Sequence, residues 1–310
     1  MARNSKATRS HVERADIYQE VTDQIIAMLE QGVRPWSPSW ASGSASLPLR
    51  TCGKNYRGIN VLLLWAQSMA RGYANPYWMT FKKALELGGN VKKGERGTRI
   101  VYAGSISPKE EQDQQSEDMS ERRIAFLKRF TVFNLEQIEG LPDDLFPTPA
   151  PIMQNRDSRD PQLDALFRAY GVKIVERDDG AFYSPATDTI TMPRFESFTS
   201  GNAFYATLAH EASHSAGSTG RLDRDTLRQY GTSTAMRAKE ELCAEISAAF
   251  LCAALGMAPT EREDHAAYLA SWLTVLRGEK RAIFQAATAA QAASDFILAA
   301  AGVAPEQQAA

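Results

Sequence analysis

Apolar positions spaced three and four residues apart mark the helices of this chain. Ile17, Val21, Ile25, Ile26, Met28 and Leu29 form one such stripe and predict a helix over 15–31, ended by Gly32. An apolar helix is predicted over 61–71, stopped by Gly72, then a short one reaching Leu87 and an amphipathic one over 161–170. Phe204, Tyr205, Leu208, Ala209, Ala212 and Ala216 predict a further helix, with Ser200-Gly201-Asn202 offering its N-cap and Gly217 its stop. Leu242, Ile246, Ala249, Phe250 and Ala253 repeat with the same period across 239–252. The Ala-rich end, with Trp272, Leu273, Leu276, Ile283, Phe284, Phe296 and Ile297, reads as more helices, and 305–310 as a frayed tail. Strand-like runs fall at 98–103, 124–133 and 172–176, and two short strands flank a turn within 181–193.

The breaks between these elements set the domain plan. Prolines forbid regular helix around Arg34-Pro35-Trp36-Ser37-Pro38 and Leu47-Pro48-Leu49-Arg50. Residues 105–121 are polar, acidic and free of aromatics, which predicts a flexible loop joining two strands of one sheet. The Pro-rich stretch 141–151 reads as an extended linker. An α+β chain follows, with a mixed α/β domain over 1–150 and a mainly helical domain with a small sheet over 152–310. With 310 residues, each can have its own core.

Charge separates the same two parts. Residues 1–104 carry 15 Lys and Arg against 7 Asp and Glu, a balance of +8, and the remainder carries 20 against 30, or −10. Between 50 and 99, ten cations face only Glu86 and Glu95. Such asymmetry points to a polyanion as partner of the first half. Trp36, Trp40, Trp65 and Trp78 lie in this basic region, and aromatic rings among cations suit unpaired bases and their phosphates. The candidate contacts to single-stranded DNA are Trp40, Lys54, Tyr56, Arg57, Asn60, Trp78, Lys82, Lys92, Lys93 and Arg96, the last three in the glycine-rich turn Val91-Lys92-Lys93-Gly94-Glu95-Arg96-Gly97. Trp65, inside an apolar helix, reads as core. No helix-turn-helix or zinc-finger pattern suggests base-specific reading.

The candidate chemistry lies in the second half, at His210-Glu211-Ala212-Ser213-His214. Histidines at i and i+4 stand one above the other on a helix and can share one cation. They are two of only four in the chain, and they fall off the apolar stripe. A third ligand is needed. Glu241 is favoured, with Glu245, one turn on along the same face, either the alternative or a group that hydrogen-bonds a histidine and fixes its orientation. Asp223 and His265 are weaker candidates. Glu211 would act as general base toward a water that the metal activates, and as proton donor to the leaving amine, which implies peptide-bond hydrolysis. His, His and Glu suit zinc, and leave manganese or another divalent ion open. The strand just before the metal helix would be the edge on which an extended peptide lies.

Cys52, Cys243 and Cys252 form no CxxC pair, which fits a reducing compartment. No apolar run approaches a membrane span and the N-terminus shows no signal-peptide core, so a cytoplasmic protein without membrane contact is expected.

Asp16-Ile17-Tyr18, the Pro35-Trp36 turn, Tyr56-Arg57-Gly58-Ile59-Asn60, the 91–97 turn and Val132-Phe133-Asn134 together resemble the single-stranded DNA-binding domain of plasmid antirestriction proteins of the ArdC type. His210-Glu211-Ala212-Ser213-His214-Ser215, Arg221-Leu222-Asp223-Arg224 and Glu240-Glu241-Leu242-Cys243-Ala244-Glu245 are similar to that family's zincin-like metallopeptidase domain. The metal helix also resembles peptidases of the ImmA/IrrE kind, whose third ligand matches Glu241 by position. The resemblance spans about 15–300 and departs at Ala216-Gly217-Ser218-Thr219-Gly220, where relatives would carry Thr-Gly-His. It implies a plasmid-encoded protein that protects DNA entering a recipient cell as a single strand from restriction, with a host restriction-modification protein as substrate or target. Two other readings stand beside it. One is a DNA-shielding protein whose metal only stabilises the fold, and the other a cytosolic zinc protease whose basic half grips an acidic protein.

Overall fold

The computed structural model describes residues 16–37, 46–106, 124–142, 145–147, 158–257 and 265–303. Trp40, most of the acidic 105–121 stretch, much of the 141–151 linker and the 305–310 tail lie outside the described residues.

The first half runs α1 (Ile17–Glu30), β1 (Leu49–Arg50), α2 (Ile59–Arg71), β2 (Tyr77–Thr80), α3 (Phe81–Glu86), β3 (Asn90–Val91), β4 (Thr98–Ile106), β5 (Ile124–Asn134) and β6 (Ile138–Glu139). The Asp16 carboxylate accepts from the backbone N–H groups of Tyr18 (2.9 Å) and Gln19 (3.4 Å) and so starts α1. The sheet order is β1-β2-β5-β4, with β1 parallel to β2 and the other pairs antiparallel, and β3 pairs with β6. β4 and β5 stay in register from Thr98↔Val132 to Ile106↔Ile124, so the acidic stretch does join two strands of one sheet, and strand pairing extends to Ile106.

The second half runs α4 (Pro161–Tyr170), β7 (Lys173–Arg177), β8 (Phe182–Ser184), β9 (Thr189–Pro193), α5 (Gly201–Ala216), α6 (Asp225–Arg228), α7 (Thr234–Ala254), α8 (His265–Gly278) and α9 (Ala282–Ala300). Ser200 and Ser233 cap α5 and α7 by accepting from the N–H groups of Ala203 and Met236, each at 3.2 Å. The sheet order is β7-β9-β8, with β7 parallel and β8 antiparallel to β9. This corrects the expectation for the strand before the metal helix: β9 is paired on both sides, and β7 and β8 are the two edge strands of this sheet.

One of the three core clusters spans both halves. The largest cluster joins Val21, Ile25 and Leu29 of α1 and Leu62 of α2 to Leu242, Ile246 and Phe250 of α7, Trp272 of α8 and Ile283 of α9. Trp65 packs edge-on against Phe250 at 5.8 Å and Trp36 against Trp272 at 5.6 Å. A second cluster holds β9, the apolar side of α5 and the end of α7. The linker is anchored by Phe146, buried against Tyr77 at 4.9 Å. All three cysteines are unpaired, and burial pushes the Cys243 and Cys252 thiols up to about 12, which keeps them protonated and unreactive. No described helix is long and apolar enough to cross a membrane.

A core shared in this way should melt as one unit. Phe250→Ala is expected to cost about 3–5 kcal/mol and to lower the transition of both halves together. Differential scanning calorimetry checks this, and two separately moving transitions would contradict it.

Candidate metal centre and basic surface

The metal helix is buried on nearly all sides, and the face that bears the histidines turns inward against α7 rather than outward to solvent. There Nε2 of His210 and Nε2 of His214 stand 3.1 Å apart. The Glu241 oxygens lie 3.5 Å from His210 Nε2 and 3.7 Å from His214 Nε2. One ligand atom from each of the three falls within 4.8 Å of the others, and no other described His/Cys/Asp/Glu group converges in this way. Zn–N bonds of about 2.0–2.1 Å and Zn–O bonds of about 2.0–2.2 Å let such a trio grip one ion.

The opposite ring nitrogens face carboxylates, which turns both Nε2 atoms toward each other. Glu245 Oε1 lies 3.0 Å from His210 Nδ1, in the orienting position weighed for it, while Glu241 joins the converging trio. The matching group for His214 is Glu240, whose Oε1 is 3.0 Å from Nδ1. The sequence reading missed Glu240, although it falls one residue before the favoured ligand. Arg224 Nε donates to Glu240 Oε2 at 3.1 Å, Arg224 Nη2 to Oε1 at 2.5 Å, and the Thr226 hydroxyl to Oε2 at 2.5 Å. Arg224 also donates to the Ser213 carbonyl at 2.7 Å, which ties the end of α5 to the start of α7.

Gly217 ends α5 for a reason the sequence does not display. Its φ of −80° is ordinary, but a Cβ there would lie 2.5 Å from the Arg224 guanidinium. Asp223, one of the weaker candidates, is turned away and pairs with Arg228. The side chain of His265 lies outside those described.

Burial works against ionisation of Glu240, but its bonds to His214 and Arg224 prevail and hold it at about 2. Burial likewise opposes ionisation of Glu241, and the His210 bond, the two imidazoles and Tyr230 outweigh it, again to about 2. The Tyr230 hydroxyl donates to Glu241 Oε1, its ring meets His214 edge-on at 6.2 Å, and burial followed by the Glu241 bond raises its pKa. Glu211 opens with the trio onto a cavity of about 260 Å³, walled by Tyr183, Leu227, Tyr230 and Tyr268. The edge strand β8 supplies Phe182 and Tyr183 to the same wall.

In the basic half, several of the residues expected to contact nucleic acid are engaged within the protein. Trp78 is 1% exposed, and its carbonyl accepts from the buried Tyr56 hydroxyl at 3.3 Å. Burial pushes Tyr56 up to about 12. Asn60 bridges the outer edge of β4, donating to the Val101 carbonyl (2.7 Å) and accepting from its N–H (2.9 Å). Arg57 forms an ion pair with Asp295 of α9. These four side chains hold the fold, because each finds its partner inside the protein. Lys54 is half-buried, and Lys92 is exposed and donates to the Glu136 carbonyl at 2.8 Å. Lys82, Lys93 and Arg96 are exposed.

Fold and site together define a protein with a zincin-like metal-site domain behind a basic α/β half. Residues 161–289 match the zincin-like metallopeptidase family, and residues 15–133 match the N-terminal domain of anti-restriction factor ArdC. The metal-free crystal structure of the antirestriction protein ArdC from plasmid R388 is similar at 42% identity and a TM-score of 0.80, covering 93% of this chain and 98% of that one. Its Mn(II)-bound structure is similar at 41% identity and a TM-score of 0.77, with 92% and 98% covered. The uncharacterised protein y4eC of Sinorhizobium fredii is 38% identical over 288 residues, 91% of each chain. The DNA primase TraC of Escherichia coli is 35% identical over 301 residues, and there this chain spans only 27% of the relative's length. The chain belongs to the ArdC family of antirestriction proteins, and a divalent metal is the cofactor of its zincin-like domain.

The depressed carboxyls set a pH dependence. Glu240 and Glu241 titrate near 2 when folded against an ordinary 4.5. Their stabilisation is therefore complete above the higher value and disappears as pH falls through the lower one. With a chelator present, the melting temperature should fall steadily as pH drops below roughly 4.5. Glu240→Gln should weaken that slope and, by leaving Arg224 buried without its carboxylate, cost about 3–5 kcal/mol at neutral pH. Melting curves across the acid range check both.

Proposed function

We propose that the protein shields DNA entering a cell as a single strand from restriction, and that its metal domain is a peptidase that acts on a host restriction-modification protein. The observation that carries the catalytic part is the convergence of His210, His214 and Glu241 beside Glu211 at one cavity. His210, His214 and Glu241 would hold the ion, with zinc the best match to two imidazoles and a carboxylate, and manganese the alternative given the Mn(II)-bound relative. When bound, the cation supplies Lewis-acid polarisation of a carbonyl and lowers the pKa of water.

The rest is the work of side chains. Glu211 takes a proton from the attacking water and returns it to the leaving amine. Glu245 and Glu240 keep the two imidazoles turned inward. Tyr183 and Phe182 of β8 put an extended peptide beside Glu211, because an edge strand has unpaired backbone groups to offer it. The basic first half takes the nucleic acid through phosphate contacts, so affinity depends on salt. The free thiols agree with a protein that works in the reducing cytoplasm.

A second reading has its own support. The Arg224–Glu240–His214 chain ties α5 to α7, so a cation here would also brace the fold, and DNA shielding alone could account for antirestriction. Glu211→Ala separates the two. It should retain metal and DNA binding and lose at least about a hundredfold in peptide hydrolysis, while protection of transferred DNA falls with it. Protection that survives intact would leave shielding as the mechanism. Metal analysis of purified Glu241→Ala should show the ion lost, and Glu245→Ala a weakening of about 10- to 100-fold.

A further inference from the structure

Of the rings first suggested as base platforms, Tyr56 and Trp78 are buried, while among the described residues of the first half the aromatics Phe81, Tyr102 and Phe130 stay exposed, and Phe81 is the one that adjoins the basic turn through Phe133. Phe81, the first residue of α3, is 51% exposed, and Leu85 one turn later is 48% exposed. The Phe81 ring meets Phe133 of β5 edge-on at 6.3 Å, which fixes its orientation from one side only.

The basic turn lies against Phe133, the ring that backs Phe81. A Cβ at Gly97 would fall 2.3 Å from Thr131 Cγ2 and 2.9 Å from Phe133 Cζ, so the backbone there rests on the sheet face with no room for a side chain. Arg96 is the residue before Gly97 and Lys93 belongs to the same turn, both exposed. Lys82, whose side chain is 87% exposed, follows Phe81. The carboxylates nearby are engaged: Glu86 with Lys82 (3.8 Å) and Lys83 (3.5 Å), Glu95 with the Gln137 amide (2.8 Å) and Glu20 with Arg99 (2.7 Å).

Resting on the reading of the first half as a nucleic-acid surface, we infer that Phe81, backed by Phe133, is a stacking platform for an unpaired base, with Lys82, Lys93 and Arg96 tracking the adjoining phosphates. An open ring among cations recognises what only a single strand offers: a π-face not already stacked on its neighbours, next to a phosphate. Every base has such a face, so recognition is indifferent to sequence. A protein partner would make less use of the cations, and it is the alternative that the test must exclude.

The test uses the full chain and a labelled oligothymidylate, titrated at several salt concentrations. Phe81→Ala should weaken binding roughly tenfold or more, with the melting curve and metal content unchanged because the ring is exposed. Phe81→Trp should restore the affinity, and its added fluorescence should be quenched when the strand binds. Lys93→Ala with Arg96→Ala should flatten the dependence of log affinity on log salt by about 0.7 per lost phosphate contact. If Phe81→Ala binds as tightly as the unaltered protein, which itself binds, the platform is overturned while the wider DNA reading stands and the patch passes to a protein partner. If the unaltered protein shows no salt-dependent binding, both fall together.

Discussion

Ionised carboxylates cannot stay buried without partners, and α7 carries three of them, Glu240, Glu241 and Glu245, into the interior. Their partners are the two imidazoles of α5 and the Arg224 guanidinium. This set of pairings fixes how α5 and α7 face each other, and much of the second half follows. Gly217 must lack a side chain so that Arg224 can reach Glu240. The connection between the helices must return Thr226 and Tyr230 to the same carboxylates. A carboxylate oxygen lies 3.0 Å from each Nδ1 and the two Nε2 atoms stand together, the orientation that a shared cation needs.

The same helix has a second commitment. Leu242, Ile246 and Phe250 belong to the core that also contains α1, α2 and the first-half tryptophans Trp36 and Trp65. Helix α7 therefore carries the acidic groups of the metal centre and the apolar contact that joins the halves. The joint is reinforced by Arg57 with Asp295 and by the Thr22 hydroxyl donating to the Lys280 carbonyl at 2.8 Å. Two regions with separate family matches thus share this core, while the second and third clusters each stay within one half.

In the basic half, composition located the charge but not which rings are exposed. Trp78 and Tyr56 looked like platforms because they are large, aromatic and surrounded by Lys and Arg. They are instead the apolar mass that a small sheet needs beneath it, and Trp78 is enclosed by its packing with Tyr73 at 5.8 Å. Asn60 looked like a polar contact for a ligand, and it satisfies the exposed backbone of an edge strand. Among the rings left exposed is Phe81, which carried no sequence signal because exposure of a helix's first residue depends on what packs over it.

The sequence by itself determined what is local. Periodicity defined α4 over Pro161–Tyr170, Ser200 marked the start of α5, and the four-residue histidine spacing put both rings on one face of α5, since helix geometry alone sets that relation. The third member of the converging trio was within reach too, because Glu241 and Glu245 are one turn apart on a predictable helix. Which of the two meets the Nε2 atoms, and that Glu240 serves His214, was decided only by the rotation of α7 against α5, a relation between segments far apart in the chain. Strand order was decided in the same way: β9 adjoins α5 in sequence, yet the open edges belong to β7 and β8, because pairing partners are chosen by the whole sheet. Burial belongs to this second class throughout, for it depends on neighbours that arrive only when the chain has folded.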